Sequence, residues 1–389
     1  MSETVAARPR LISRCLALVF VCNFGAMTGF YLLLSVVPLY AASAGVGEAG
    51  AGVATAALMA ATVAAELVTP GLASRLGYRR VLAGGLVLLG APSLMLVVPG
   101  SGDLAVVTAV SLLRGAGLAV AVVVGSALVA ALVPPQRRGE ALGVSGLVVM
   151  GPAVLGLPLG VWLAEQAGYP VVFVLAAVVT LAGLAVVPAL PDRIGSDGRE
   201  APLGIVAALR DGRLARPALV FAVPAAAAGV VVTFLPSAVT HRSLAAVGLF
   251  VQAGTATAAR VWAGRVGDRR GSARLLAPGV LLAAAGLAGP VWDGSPVTVV
   301  AGMAVFGAGW GIAQNASLSL MYERVPVSAY GTVSAVWNLA YDGGMGLGAV
   351  GFGVMAASAG YPPAFAVTAM AMPLILLLVL ADRRGSRHR

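Results

Sequence analysis

The chain is a series of long apolar segments separated by short polar connections. Each segment is close to the roughly 20 residues that an α-helix needs to cross the hydrocarbon core of a bilayer. Strict apolar–polar alternation, typical of strands, is absent, and irregular backbone cannot face lipid. The pattern therefore predicts an all-α integral membrane protein with twelve transmembrane helices. The predicted spans are residues 13–40, 51–72, 81–98, 104–133, 140–166, 171–190, 216–239, 244–264, 274–292, 296–322, 331–357 and 361–380.

Arginine residues fall on alternate connections. They precede the first predicted span and follow the second, fourth, sixth, eighth, tenth and twelfth, whereas Arg242 is the one arginine in the intervening connections. Basic residues concentrate in the cytoplasmic loops of membrane proteins. Both termini and the long central connection are therefore predicted to be cytoplasmic.

The two halves of the sequence repeat each other. Ala167-Gly168-Tyr169-Pro170 recurs 192 residues later as Ala359-Gly360-Tyr361-Pro362, and the same offset carries Gly115-Ala116-Gly117 onto Gly307-Ala308-Gly309. The repeat predicts an N-terminal six-helix bundle over residues 1–190 and a C-terminal one over residues 216–389, which ends in a basic tail. The linker, residues 191–215, is rich in Arg, Asp and Gly, and its 203–214 part is predicted to form a short helix on the membrane surface.

Composition narrows the possible functions. The chain is 59% hydrophobic and 10% charged, with a mean hydropathy of +0.96, whereas soluble domains are about 25% charged. All 25 basic residues are arginine, so a lysine-containing phosphate loop is excluded. The net charge of +10 is explained by topology, and no nucleic-acid partner is predicted. With two histidines and no clustered thiols, we expect no metal site, no cofactor and no enzymatic activity.

One short charged stretch, Gly264-Arg265-Val266-Gly267-Asp268-Arg269-Arg270-Gly271, joins two apolar runs and is predicted to be a tight turn outside the membrane. A weaker copy lies 194 residues earlier, around Arg75 and Gly77. The stretch resembles the signature loop of the major facilitator superfamily, found between helices two and three and between helices eight and nine. In the first copy Pro70 and Ser74 replace the usual Gly and Asp. The residues expected to form this gating loop are Gly264, Arg265, Asp268, Arg269, Gly271, Arg75, Gly77, Arg79 and Arg260.

The resemblance implies the major facilitator fold, with two six-helix repeats and a substrate site between them near the midplane. Arg114-Gly115-Ala116-Gly117 is similar to a helix-four motif whose arginine is associated with proton coupling in this family. The segment from Gly151 to Gly160, which contains Pro152 and Pro158, resembles the glycine–proline motif of drug:proton antiporters. The similarity of the Gly151–Gly160 segment favours export over uptake, whereas the helix-four arginine is associated with both antiporters and symporters.

Ionisable residues inside a bilayer are costly and are candidates for function. Asp342 and Arg114 are predicted to lie near the midplane, and Glu66 and Arg260 one to two turns from the cytoplasmic loops. Asp342, Arg114 and Glu66 are therefore candidates for proton coupling, with Asp342 the strongest, because a carboxyl group whose neighbours change between two conformations can load and release a proton. Glu66 and Arg260 occupy equivalent positions of the two halves, and each either pairs with the other or binds its own loop. A purely structural role for Asp342 in pinning helix eleven remains the alternative.

Polar and aromatic side chains at midplane depth are candidates for substrate binding, although each could instead make a hydrogen bond between helices. They are Asn23, Tyr31, Gln252, Gln314, Asn315, Trp337, Asn338 and Tyr341.

The whole chain resembles a twelve-helix major facilitator transporter, and this resemblance implies a secondary transporter in a bacterial inner membrane. Most of the expected lining is apolar, which suits an amphipathic drug or secondary metabolite exported against protons. The alternatives are a proton symporter that imports a small organic nutrient and a non-transporting receptor with the same fold. The predicted partners are a small-molecule substrate, protons and the lipid bilayer, and the protein is predicted to be monomeric.

Overall fold

A computed structural model describes residues 13–98, 100–133, 138–192, 205–291, 295–326 and 329–377. Within these ranges twelve long helices follow one another, and the predicted all-α, twelve-helix fold is confirmed. We number them α1–α12. They are α1 Arg14–Leu34, α2 Gly47–Leu76, α3 Tyr78–Gly90, α4 Leu104–Leu132, α5 Arg138–Gln166, α6 Tyr169–Ala182, α7 Gly212–Ala238, α8 Arg242–Arg270, α9 Ala273–Leu287, α10 Pro296–Tyr322, α11 Tyr330–Ala359 and α12 Tyr361–Ala371.

Several short helices extend or join the long ones, and three of them bear on the predictions. Val36–Ala41 continues α1, a 3-10 turn over Ala91–Val97 continues α3, and Ile205–Arg210 precedes α7. Ile205–Arg210 lies within the linker segment predicted to be helical, and residues 203–204 of that segment lie outside the described residues. Eight helical stretches of the described chain are long and apolar enough to cross a membrane. The chain is therefore a multi-pass integral membrane protein.

Four of the turns between helices fall at glycines that are equivalent in the two halves. Gly77 ends α2 with φ of 90° and Gly271 ends α8 with φ of 83°, while Gly168 and Gly360 precede α6 and α12 with φ of 84° and 82°. This left-handed region is costly for residues with a Cβ, and glycine adopts it freely. The shared glycines thus explain why the same turn occurs twice, half a chain apart.

The prediction that Gly264–Gly271 is a turn is wrong for most of the stretch. Helix α8 continues through Arg270, and α2 likewise continues through Leu76 despite Pro70. A single glycine is enough to reverse the chain, so the charged residues extend the helices instead of forming a loop. As a result Glu66 and Arg260 each lie ten residues, about 15 Å, before the ends of their helices, deeper than the one to two turns predicted.

Each half contains the same close crossing of two helices. In the first half a Cβ on Gly117 of α4 would lie 2.6 Å from the Gly85 carbonyl oxygen of α3. In the second half a Cβ on Gly309 of α10 would lie 2.6 Å from the Gly279 carbonyl oxygen of α9. Small residues allow such approach between membrane helices. The repeat found in the sequence therefore encodes one helix-packing solution used twice.

We call the end of the bundle that carries Arg75, Arg79, Arg213 and Arg269 the arginine-rich end, and the opposite end the arginine-poor end. The halves contact each other closely near the arginine-poor end, where the first part of α2 packs against the last part of α11. A Cβ on Gly52 would lie 2.5 Å from the Ala349 carbonyl oxygen, and one on Gly353 would lie 2.7 Å from the Glu48 carbonyl oxygen. The arginine-poor end is therefore closed in this conformation.

Candidate functional site

A cavity of about 370 Å³ lies between the two halves. It is lined by α1 and α5 from the first half and by α7, α8, α10 and α11 from the second. Along α8 it runs from Gln252 to Gly264, that is, from the middle of the helix toward the arginine-rich end. A space bounded by both halves at this depth can bind a small molecule, and movement of one half against the other would change its access.

The second half supplies most of the polar side chains of the cavity. Arg260 donates a hydrogen bond from Nη1 to Gln314 Oε1 at 3.4 Å. The neighbouring Asn315 has a buried Oδ1 with no hydrogen-bond partner among the described residues. Buried polar atoms are usually satisfied, so this oxygen of Asn315 is available to accept a hydrogen bond from a bound molecule. Six predicted residues, together with Gly264 of the signature stretch, line this cavity: Tyr31, Gln252, Arg260, Gln314, Asn315 and Tyr341.

The first half supplies an apolar wall. Met150, Ala153 and Leu157 of α5 line the cavity, with Tyr31 and Leu34 of α1 beside them. Helix α5 approaches α1 closely, because a Cβ on Gly156 would lie 2.9 Å from Tyr31 Cβ. This glycine belongs to the proline- and glycine-rich segment singled out in the sequence, and in the structure it holds the apolar wall against Tyr31.

Four aromatic rings form a stack at the edge of the cavity. Phe221 of α7 stacks on Trp337 of α11, with centroids 4.6 Å apart and rings 11° from parallel, and on Trp310 of α10 at 5.4 Å and 12°. Tyr341 lies 5.5 Å from Trp310. Trp310 itself lines the cavity, so the stack offers a rigid, polarisable surface to a bound molecule.

Three predicted substrate residues lie outside the cavity lining. Trp337 donates from Nε1 to Ser317 Oγ at 2.9 Å, which ties α11 to α10. Asn23 is buried and packs against Gly125 of α4. Asn338 is half-buried on α11. Trp337 therefore makes the hydrogen bond between helices that the sequence left open as its alternative role, whereas Asn23 makes a packing contact with α4.

Asp342 is buried at the interface between the halves. It belongs to a row on α11 at helical spacing in which Gly346 packs against Met59 of α2, and Ala349 against Gly52. Asp342 belongs to the same row, one helical turn before Gly346, and lies outside the close-packed part. Its carboxyl group interacts electrostatically with that of Glu66 of α2, and it also lies within electrostatic range of Tyr31. Two carboxyl groups, one from each half, are therefore close enough to interact electrostatically.

Glu66 and Arg260 are not hydrogen-bonded to each other among the described residues. Arg260 binds Gln314 within its own half, whereas Glu66 interacts with Asp342 across the interface. The sequence left two alternatives open: a pair between Glu66 and Arg260, or binding of each residue to its own loop. The described residues show neither of them in this conformation.

Arg114 is completely buried in α4. Its Nε, Nη1 and Nη2 have no hydrogen-bond partner in the described part of the chain, and the Oγ of Ser111, one turn earlier, has none either. The adjoining Gly115 packs against Leu58 of α2 and its carbonyl oxygen accepts from Thr62 Oγ1 at 3.1 Å. The guanidinium thus lies in the interior of the first half with its hydrogen-bonding capacity unused in this conformation.

The two signature stretches are held in different ways. In the first, Arg79 donates from its backbone N to Asp192 Oδ1 at 3.4 Å and from Nε to the Leu190 carbonyl oxygen, and Tyr78 N donates to the Asp192 carbonyl oxygen at 2.9 Å. In the second, Ser272 donates from Oγ to Glu323 Oε1 at 2.6 Å. Arg265, Asp268 and Arg269 are exposed. The acidic partner Glu323 follows the end of α10, whereas Asp192 lies at the start of the linker.

Sequence reasoning missed Trp310, Met150 and Asp192. Trp310 could have been found from the sequence, because a large aromatic residue there lies between two glycines, Gly309 and Gly311. Met150 is one of many apolar residues, and nothing in the sequence marks it as lining a cavity. Asp192 was visible only as one of several charges in the linker.

The comparisons with known proteins agree with this geometry. The Major Facilitator Superfamily family model matches residues 19–349 and, in a second match, 218–389. No curated protein matches the chain significantly. Among solved structures, the chain is similar to the nucleoside transporter NupG, with 13% identity, 95% of this chain and 99% of that one covered, and a TM-score of 0.76.

Two further solved structures show the same fold. The peptide transporter POT in complex with sulfate is 16% identical over 96% of this chain and 94% of its own, with a TM-score of 0.77. The xylose transporter XylE from E. coli, in a partially occluded inward open conformation, is 13% identical over 95% of this chain and 97% of its own, with a TM-score of 0.74. At these identities the likeness concerns the fold alone.

Proposed function

Since the chain belongs to the major facilitator superfamily, whose solved members similar to it are transporters, we propose that it is a proton-coupled exporter of amphipathic drugs or secondary metabolites. It works by alternating access, as a monomer, in a bacterial inner membrane with both termini in the cytoplasm. Its arginine-rich end is then the cytoplasmic end, and the described conformation is closed toward the outside.

The observation that supports this proposal is the division of the cavity into two walls. The α5 side presents Met150, Ala153 and Leu157, and the opposite side presents Arg260 and Asn315. An amphipathic molecule can place its apolar body on the first wall and an acceptor or anionic group on the second. The cation of Arg260 disfavours purely cationic substrates.

Alternating access requires the contacts of the arginine-poor end to separate. The row that joins α2 and α11 by Gly52, Gly346 and Gly353 would open, and the cavity would gain access to the outside. Asp342 lies at the inner end of this row, so its distance from Glu66 changes as the halves move. Because like charges close together are unfavourable, the free energy of ionising both carboxyl groups differs between the two conformations. Protonation is thereby coupled to the conformational change, which any proton-driven transporter of this kind needs.

One observation favours import of a polar nutrient as a second candidate. The second half places Gln252, Gln314 and Asn315 in one cavity, which would suit a substrate with several hydrogen-bonding groups. NupG, POT and XylE are nucleoside, peptide and xylose transporters. Export and import differ in the direction of substrate movement relative to protons, which can be measured.

The decisive experiment uses the full chain in proteoliposomes with a trapped pH-sensitive dye. A panel of amphipathic compounds and a panel of nucleosides, dipeptides and sugars are added in turn, with protein-free liposomes as the reference. Export coupled to protons predicts that amphipathic compounds drive protons in the direction opposite to their own movement. Movement of protons and a nutrient in the same direction would establish the importer, and no substrate-dependent proton flux with either panel would favour the receptor.

A further inference from the structure

A second cavity lies on the outer surface of the bundle, away from the site between the halves. It is a groove of about 810 Å³ between α7, α11 and α12. Its walls include Leu219 and Val223 of α7, Leu347 of α11 and Val367 of α12. Leu219, Leu347 and Val367 are exposed. The groove is therefore an apolar channel that the rest of the described chain leaves uncovered.

Glycines of α11 keep the groove open. A Cβ on Gly343 or Gly351 would meet no atom within 4 Å, although both residues line the groove. Two other glycines of the same helix behave differently: Gly344 packs against Ala222 of α7, and Gly348 packs against Ala226. Two glycines thus bring the helices together, and two others leave room on the outer side.

The length of the groove suits an acyl chain. On α7 it extends from Ala215 to Val230, which corresponds to about 22 Å of helix. One leaflet contributes about 15 Å of a hydrocarbon core that is ~30 Å thick. The groove thus starts at the arginine-rich end, spans the depth of one leaflet and continues about 7 Å beyond it.

Positive charge is concentrated where the groove begins. Leu209 of the short helix Ile205–Arg210 lines the groove, and Arg210 and Arg213 beside it are exposed. Asp211, between them, accepts a hydrogen bond from Arg213 N at 2.9 Å, so this carboxylate caps α7. The positive N-terminal end of the α7 dipole lies at the same place. An apolar groove that ends in exposed cations has the two features that a phospholipid anion requires.

We propose that this groove binds one anionic phospholipid, with an acyl chain between α7, α11 and α12 and its phosphate at Arg210 and Arg213. The bound lipid packs on the outer face of α11, whose inner face carries Tyr341 and Asp342. If the proposed transport function holds, the lipid acts on the helix that must move. The binding itself does not depend on that function.

The test uses the purified full-length chain in detergent, titrated with dioleoyl phosphatidylglycerol and, in parallel, with dioleoyl phosphatidylcholine. Native mass spectrometry counts the lipid molecules retained, and the thermal unfolding midpoint without lipid checks folding. The wild type is expected to retain one phosphatidylglycerol in preference to phosphatidylcholine. In Arg210→Gln/Arg213→Gln the affinity for phosphatidylglycerol is expected to fall about 25-fold, because each basic residue near an anionic lipid contributes about a factor of five.

Matched variants separate this site from a general effect of charge or helix volume. Arg80→Gln/Arg274→Gln removes the same charge from exposed positions at the same end and should leave the affinity within about twofold of the wild type, because Arg80 and Arg274 belong to α3 and α9, which contribute no residue to the groove. Gly343→Leu fills the groove and should weaken both lipids, whereas Gly84→Leu, also in open space, should not. Arg210→Lys/Arg213→Lys should restore most of the preference.

Three results would overturn the proposal. The first is equal retention by the Arg210→Gln/Arg213→Gln variant and its charge-matched control. The second is equal affinity of the wild type for the two lipids. The third is a dimer of the chain that Gly343→Leu dissociates, since the groove would then hold a second copy. Loss of transport with unchanged lipid retention would concern the proposed function and not this site.

Discussion

The hydroxyl oxygens of Thr55 in α2 and Thr233 in α7 lie 2.9 Å apart. Both side chains are buried, at 2% and 0% exposure, so a hydrogen bond joins the two halves where water is excluded. It lies among the close contacts of Gly52 and Gly353 that close the arginine-poor end. Opening this end must break the bond and separate the glycine contacts together, which makes the region a single closing element.

Removing this hydrogen bond should shift the protein toward the conformation open at the arginine-poor end. Hydrogen bonds between membrane helices contribute about 0.6 kcal/mol on average, so Thr55→Val should raise the open population about threefold. Distances between spin labels at Ser43→Cys and Ser358→Cys, in a Cys15→Ala/Cys22→Ala background, report the change. Thr28→Val is the control, because Thr28 bonds the Phe24 carbonyl oxygen of its own helix. Identical distance distributions in both variants would show that the bond does not hold this end closed.

A methyl group at Gly52 should act more strongly than loss of the hydrogen bond. The new Cβ would lie 2.5 Å from the Ala349 carbonyl oxygen, and a backbone atom cannot move aside as a side chain can. Overpacking of this kind costs about 1–3 kcal/mol, so Gly52→Ala should lower the thermal unfolding midpoint or favour the open form in the same spin-label measurement. Gly71→Ala on the same helix adds a methyl group in open space and should change neither. A Gly52→Ala protein that behaves like Gly71→Ala would mean that the halves separate here without cost.

Asp192 should matter more than Ser74 for the first signature stretch. Its carboxylate accepts from Arg79 N, whereas Ser74 Oγ only donates to the Gly71 carbonyl oxygen of its own helix. Asp192→Ala removes about 1 kcal/mol of this interaction, so hydrogen exchange of the peptide around Arg79 should speed up roughly fivefold. Ser74→Ala, the control, should leave exchange unchanged.

Transport should be impaired more by Asp268→Asn than by Ser74→Ala, since the second stretch retains its acidic residue, and equal effects would show that the carboxylate of Asp268 is dispensable.

The fold was accessible from the sequence because a bilayer allows few solutions. Long apolar runs predict the helices, and the repeated glycines predict that the same turn occurs in both halves, as Gly77 and Gly271 show. The role of the charged stretch was misjudged, because a stretch of arginine, glycine and aspartate between apolar runs resembles a loop. In the structure Gly264–Arg270 is helical, since one glycine with positive φ suffices for the reversal and charged side chains are compatible with a helix outside the lipid.

The site was accessible only in part. Depth along a helix follows from counting residues, so Tyr31, Gln252 and Tyr341 could be placed near the middle of the bundle. Which way a side chain points depends on the rotation of each helix, and neighbours set that rotation. Asn23 therefore faces Gly125 and Trp337 faces Ser317, while Met150 lines the cavity. The roles in substrate binding that the sequence assigns to Tyr31, Gln252, Tyr341, Asn23 and Trp337 stay predictions.

The orientation in the membrane can be tested with single cysteines. Ser101, near the arginine-poor end, is a poor reporter, since it is buried and lies 3.1 Å from the Tyr40 hydroxyl. Ser74 at the arginine-rich end and Ser358 at the other end are both exposed. In a Cys15→Ala/Cys22→Ala background, an impermeant maleimide should label Ser358→Cys in intact cells and Ser74→Cys only after lysis, because arginine-rich loops remain in the cytoplasm. The reverse pattern would place both termini outside.

The exchange of a proton at Asp342 can be separated from substrate binding. Asn keeps the size of the protonated carboxyl group but cannot ionise, so Asp342→Asn should still bind substrate and catalyse downhill exchange of substrate for substrate. Transport driven by a pH gradient should fall to the level of protein-free liposomes, because no proton can be carried. Asp103→Asn, at an exposed position, is the matched control and should transport normally. Glu66→Gln should weaken the coupling without abolishing it, since it removes the carboxyl group that interacts electrostatically with Asp342. An Asp342→Asn protein that still moves substrate against its gradient at the normal proton cost would leave Asp342 a structural residue and make Glu66 the next candidate.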